Sequence, residues 1–414
     1  MNRILLVACC AIAVLLLVSC QRTQTPADAT QAKSAATGDS AKKSVPVDYK
    51  ALSSRLASQI AGVRAGDIVR INGCARDLEL LENLATEARK LGAFPLVTLS
   101  SDRMRKAYFE EVPEKYDSQI PQLEMKLAEM ITAQIIIDSS EADDVLAGVP
   151  QSRLAAVNKA SAGIDEMLLR RNVRNVSVGN GLYPKTGTAT QLGLSLEDLA
   201  KTFWNSVNTD YSSLQAIGER VKAALSQGKD LRLTSADGTD LKVRIEGCPF
   251  FVSDGVISPE DLKRGGPALS AYLPAGEVYC APLAGTAEGK VVEPRTFYDG
   301  KEVTNLTLTF AGGKLTSISG TGPGFEGLKA AYGAGSTGKE IFAVVDFGIN
   351  PDLHIWPGSK LGSWMQAGMV SVGIGNNTWA GGRNNCAYGL YSHLGGTTVT
   401  LDGKTIVENG ELKI

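Results

Sequence analysis

Residues 66–99 read GDIVRINGCARDLELLENLATEARKLGAFPLVTL, which spells strand, helix, strand. GDIVRING is a short β-rich run. In the stretch that follows, Leu78, Leu81, Leu84, Ala88 and Leu91 recur at helical spacing, and Gly92 closes the stripe. PLVTL resumes strand texture, AQIIID is a third strand and NVRNVSVG a fourth, with QLEMKLAEMI and QSRLAAVNKA as helices between them. Strands alternating with helices predict a parallel sheet flanked by helices, here an α/β domain over residues 48–228. LSLEDLAKTFW opens a further helix, with Ser195 as its cap and the Asp198 carboxylate at its positive end. The turn after the first strand, NGCARDLE, lacks GxGxxG, and GxxxxGK[ST] is absent, so a nucleotide is not the expected ligand.

Beyond Gly228 the texture changes. LRLTSADGTDLKVRIEG has two alternating segments around Asp237-Gly238, a hairpin signal. GKVVEP, RTFYDGKEV, LTLTFAGGKLTSISG and TTVTLDGKTIV are also strand-like, several of them broken at Asp-Gly or Gly-Gly, and GFEGLKAAYG is helical. Residues 229–414 therefore read as a second, β-rich α+β domain. A chain of 414 residues has room for two domains with real cores at ~150 residues each.

The amino terminus reads MNRILLVACCAIAVLLLVSC. Basic Arg3 precedes an apolar run from Ile4 to Val18, too short for a membrane span of about 20 residues and suited to a signal-peptide core. Leu17-Val18-Ser19-Cys20 resembles a bacterial lipobox, which makes residues 1–20 a signal peptide and Cys20 the lipidated first residue of the mature chain. Gln21 favours the periplasmic face of the outer membrane where the cell has one. Residues 21–47 are rich in Ala, Ser, Thr and Gln with few large apolar side chains, so they form a disordered tether. Such a protein belongs to the bacterial cell envelope, anchored to the membrane by lipid. Cys74, Cys248, Cys280 and Cys386 then remain, as disulfides or as buried thiols; their strand-like settings favour thiols.

Charge and histidine content narrow the chemistry. Lys plus Arg number 42 against 44 Asp plus Glu, so there is no polyanion-binding footprint and nucleic acid is not a partner. The two histidines, His354 and His393, exclude a three-histidine metal site. No GxSxG elbow is present to expose a serine nucleophile. Trp356, Trp364 and Trp379 read as packing residues.

Several blocks taken in order resemble the thermophilic-type dimetal aminopeptidase family, the aminopeptidases T and S. They are GDIVRING with its helix, GLYPKTGTATQLGLSLEDL, SADGTDLKVRIEG, LPAGEVYCAPLAGTAEGKVV, FGINP, VSVGIGNN, AGGRNN and TVTLDGKTIVENGEL. The resemblance implies an α/β amino-terminal half, a carboxyl-terminal half of aminopeptidase type with two metal ions, a homodimer, and release of amino-terminal residues from peptides. Carried over residue by residue, Glu277 matches a metal-binding glutamate and Asp346 stands where the family has another. Ser371 replaces a ligand histidine, Thr378 the active-site tyrosine, and Gly389 and Tyr391 a His-x-Asp ligand pair.

Two divalent cations a few Å apart need several anionic or imidazole ligands, and this set is short of them. The expected protein is thus a lipid-anchored relative that binds peptides or envelope proteins without an intact dimetal centre and with no cofactor. A second reading is an active aminopeptidase with a rewired site, in which Glu277, Asp346, His354 and His393 hold a zinc- or cobalt-type ion.

Overall fold

The computed structural model describes residues 47–138, 140, 145, 146, 148–354 and 363–414. The signal peptide, Cys20 and the tether up to residue 46 lie outside the described residues, as does Trp356. Among the described residues no helix is long and apolar enough to cross a membrane.

The stretch that opens the α/β half folds as its pattern dictates. Strand Ile68–Cys74 leads through a short 3-10 turn into helix Leu78–Lys90 and then strand Phe94–Ser100. Leu81, Leu84 and Ala88 of the sequence stripe are buried, whereas Leu78 is exposed and Leu80 takes its place inside. The 3-10 turn Ala75–Asp77 shifts the entry to the helix and so rotates its first turn. A parallel sheet results, in the order Phe94–Ser100, Ile68–Cys74, Ala133–Ile137, Arg174–Val178, Ser270–Leu273. The last of these strands comes from beyond Gly228, so the chain returns from its β-rich half to complete the first sheet. Ser195 caps helix Leu196–Val207 by accepting from the Asp198 N–H at 3.0 Å.

The rest of the chain builds two antiparallel sheets. One has eight strands and contains the hairpin Asp230–Thr234/Asp240–Arg244, whose turn places Gly238 at φ +102°. The other has five, in the order Gly389–Leu394, Val370–Gly375, Phe342–Gly348, Glu277–Cys280, Phe251–Ser253. One face of this five-stranded sheet, with Val278, Cys280, Val345, Phe347, Val372 and Ile374, joins an apolar core that also contains Ile71 and Val176 of the parallel sheet. The opposite face carries most of the residues singled out above. All four cysteines Cys74, Cys248, Cys280 and Cys386 are free thiols, Cys248 half-buried and the others buried.

Candidate functional site

Side chains alternate along a strand, and residues directly opposite in a ladder share a face. The register of the five-stranded sheet pairs Phe251 with Tyr279, Tyr279 with Asp346, Asp346 with Ser371 and Ser371 with His393. Two residues along, Glu277 lies opposite both Ser253 and Gly348; in the other direction Gly373 lies opposite Tyr391. Glu277, Asp346, Ser371, Gly389, Tyr391 and His393 therefore stand on one surface, although they span more than 110 residues of sequence. His354 is exposed, six residues past the end of strand Phe342–Gly348. Thr378 starts the 3-10 turn Thr378–Ala380, with Trp379 beside it.

Asn350 of the FGINP block sets the height of Glu277. Its amide donates to the carbonyls of Ala275 at 2.6 Å and Ser206 at 3.2 Å, pinning the Pro-Ala-Gly turn from which the strand of Glu277 departs. Gly348 lets the following loop close over the strand. A β-carbon there would collide with the carbonyl oxygens of Trp364 and Gln366, so only glycine allows the approach. Trp364 thereby reaches the centre of the face. Its side chain hydrogen-bonds the Glu277 carboxyl, and its ring lies 5.7 Å from that of His393 at 33°. Nothing in the sequence marks Trp364 as a site residue, because its approach depends on Gly348 sixteen positions earlier.

The electrostatics follow from this packing. Glu277 keeps some surface open to solvent but is densely surrounded by protein atoms, and Asp346 is buried. Burial pushes the carboxyl of each above its ordinary range. The two are hydrogen-bonded to each other, so one of the pair carries a proton; Trp364 and Ser253 also bond Glu277. Asp346 Oδ1 has no hydrogen-bond partner. Burial lowers His393 to about 4, which keeps the imidazole neutral, and its Nδ1 is bonded to the Ser371 hydroxyl at 2.8 Å. Among the described residues no group of three or more His, Cys, Asp or Glu is placed to hold a metal ion.

Tyr391 fills the space that glycines leave. A β-carbon on Gly373 would lie 2.6 Å from the Tyr391 ring, and one on Gly389 would lie 3.2 Å from it. The ring thus covers the direction a ligand at position 389 would take. Beyond it an aromatic wall runs from Tyr391 to Trp379 at 6.4 Å, Tyr279 at 5.0 Å and Phe251 at 5.6 Å. A groove of 360 Å³ begins past Phe251, between helices Tyr211–Ser226 and Pro259–Arg264, and no residue singled out from the sequence lines it.

Behind the face lies Glu293, which the sequence reading passed over. Its carboxyl accepts from the His393 backbone N–H and sits against the Ser392 and Thr296 hydroxyls. Neither its Oε2 nor the Ser392 hydroxyl has a well-aligned partner, and burial pushes the carboxyl up to about 7. In sequence it is one more charge in an alternating strand; only the contact between two sheets buries it.

The protein thus joins a parallel α/β sheet to an antiparallel sheet with the Glu277 and Asp346 carboxyls aligned on one face. The chain belongs to the thermophilic metalloprotease (M29) family, whose sequence pattern matches residues 50–329. That match takes in Glu277 and ends before Asp346, Ser371, Gly389 and Tyr391. Among solved structures the chain is similar to wild-type AmpT from Thermus thermophilus, with 18% identity and a TM-score of 0.64 over 88% of this chain and 99% of that one. It is also similar to 2,5-dihydroxypyridine dioxygenase from Pseudomonas putida KT2440, with 14% identity and a TM-score of 0.54 over 89% and 98%. At these identities the likeness is one of fold, and the two names show that the fold carries more than one chemistry. No curated protein sequence matches the chain.

Proposed function

We propose that this chain is a lipid-anchored protein of the bacterial cell envelope that keeps the aminopeptidase fold without the dimetal centre and uses the exposed side of its third sheet to bind peptides or envelope proteins. One observation carries the reading: the donors that would face metal ions are occupied by the protein itself. Glu277 is bonded to Trp364, Asp346 and Ser253, while Ser371 and His393 bond each other. The Tyr391 ring covers Gly389. The residues present do not fit a pair of divalent cations, because beside Glu277 and Asp346 the positions Ser371, Gly389 and Tyr391 supply no further carboxylate or imidazole. The half-exposed aromatic wall beside the carboxyls supports binding of a peptide chain, since aromatic side chains are enriched at the centre of protein-binding surfaces.

The lipobox-like Leu17-Val18-Ser19-Cys20 supports the anchor, and a Cys20→Ala variant is expected to leave the membrane fraction. The enzymatic alternative is tested with Leu- and Tyr-peptides in the presence of zinc or cobalt. No release of amino-terminal residues is expected. Chelator-sensitive release that disappears in Glu277→Ala would overturn the proposal.

A further inference from the structure

The Glu277 carboxyl already holds an aromatic ring, and the ring belongs to the same molecule. Trp364 donates its indole N–H, the one polar group of that side chain, to Glu277. The indole and the His393 imidazole lie with centroids 5.7 Å apart and planes at 33°. Acceptor capacity is left over beside them: Asp346 is 5% exposed, and its Oδ1 has no hydrogen-bond partner.

The loop that carries Trp364 is fixed without the indole. Its neighbours Ser363 and Met365 are both fully buried. The Asn350 N–H donates to the Met365 carbonyl at 2.8 Å, the Ala367 N–H to the Asn350 carbonyl at 2.9 Å, and the Gly368 N–H to the Gly348 carbonyl at 3.0 Å. The Ser363 hydroxyl accepts from the Met365 N–H at 3.3 Å, and the Asn180 amide reaches the Met365 sulfur at 3.5 Å. Trp364 itself is only half-buried and touches the apolar core from its margin. Turning the side chain away breaks the bond to Glu277 and the contact with His393, while every backbone bond of the loop stays.

We propose that the space filled by the Trp364 indole is the recognition pocket of this face, that its ligand is a tryptophan side chain of a peptide, and that Trp364 closes it as an internal competitor. The inference rests on the peptide-binding reading above and adds which side chain is read. A flat ring with an N–H on its edge meets both the Glu277 carboxyl and the His393 face. A phenyl ring brings no donor, and a tyrosine hydroxyl stands further from its ring than the indole N–H does. The wall of Tyr391, Trp379, Tyr279 and Phe251 gives the rest of the peptide a surface to lie on. A tethered competitor acts at an effective concentration on the order of mM or above, so a peptide displaces it only through the contacts it adds along that wall.

Indole and 1-methylindole are titrated by ligand-observed NMR into the full chain in mild detergent, with a detergent blank subtracted. Trp364→Ala should bind indole with a Kd of about 1 mM or tighter, at least about 10-fold tighter than the wild type. 1-Methylindole has no N–H and should bind that variant about 10-fold or more weakly, the usual effect of losing a bond to a charged acceptor. Glu277→Leu added to Trp364→Ala should erase the difference. Trp364→Phe keeps a ring beside His393 without the donor, retains bulk where Trp364→Ala leaves a hole, and should bind indole with intermediate affinity. Acetyl-tryptophan amide should compete with indole, and acetyl-leucine amide should not; neither has a free amino terminus. Circular dichroism melts check that each variant is folded. Folded variants that bind indole no tighter than the wild type, equal binding of the two indoles, a difference that survives Glu277→Leu, or equal competition by the leucine amide would each overturn the proposal. If they do so while the wild type still binds Leu- or Tyr-peptides without cleaving them, the tryptophan pocket falls and the binding role stands.

Discussion

Replacing Glu293 with Gln gives a pH signature whose size follows from its surroundings. The carboxyl is buried with one oxygen unpartnered, and burial holds its pKa near 7, against 4.5 in an open chain. A carboxyl raised on folding contributes its full stability below pH 4.5 and loses it as pH rises toward 7, because in that window the unfolded carboxyl ionises while the buried one is held protonated. At 1.36 kcal/mol per pKa unit the loss is about 3 kcal/mol. Glutamine has nothing to ionise. The difference in unfolding free energy, variant minus wild type, should therefore climb by about 3 kcal/mol between pH 4.5 and pH 7 and stay level above it.

His393, on the strand whose backbone Glu293 holds, has the opposite sign. Its imidazole is lowered to about 4, so its contribution is whole above 6.5 and lost as pH falls toward 4. Taking the difference against wild type at each pH removes that background. Urea unfolding followed by tryptophan fluorescence and far-ultraviolet circular dichroism measures it. A flat difference across the window, or one that falls with pH, would refute the assignment of Glu293 as a buried, protonatable carboxyl.

Other outcomes follow from single contacts. Burial raises the Asp67 carboxyl, but bonds from Arg174 at 2.6 Å, Thr132 at 2.7 Å and the Arg64 N–H at 2.8 Å outweigh it and hold the pKa below the ordinary value. Asp67→Ala should cost about 3 kcal/mol at neutral pH in urea unfolding, with the penalty shrinking as pH falls below 3.8. A thiol reagent should label Cys248 slowly in the native protein and leave Cys74, Cys280 and Cys386 unreacted until denaturant is added, because burial raises Cys248 and encloses the rest. Ser371→His with Gly389→His should gain zinc, read by calorimetry, only when Tyr391→Asp is added, since the Tyr391 ring occupies the space an imidazole at 389 needs.

Much of the fold is legible in residues 66–99 and their repeats, because strand and helix periods differ and each pattern is long enough to be unambiguous. The hairpin at Asp237-Gly238 and the cap at Ser195 are legible for a related reason: each signal is local and has one steric or hydrogen-bonding explanation. Ser270–Leu273 is not legible as part of the parallel sheet, since four residues carry no period and their partner strand lies nearly a hundred positions away. At the site, the ordered family blocks gave Glu277, Asp346, Ser371, Gly389 and Tyr391, and ladder register explains why they share a face. Trp364 and Glu293 needed the structure. One reaches the face through a loop that passes over Gly348, and the other is buried by a contact between sheets, so neither leaves a mark in its own neighbourhood.

The most direct test of a metal-free site is the metal content of the purified chain after equilibration with excess zinc and desalting, measured by inductively coupled plasma mass spectrometry beside a Glu277→Ala control. Well under one metal per chain, unchanged in the control, is the expected result. One or two metals per chain, lost in Glu277→Ala, would contradict it.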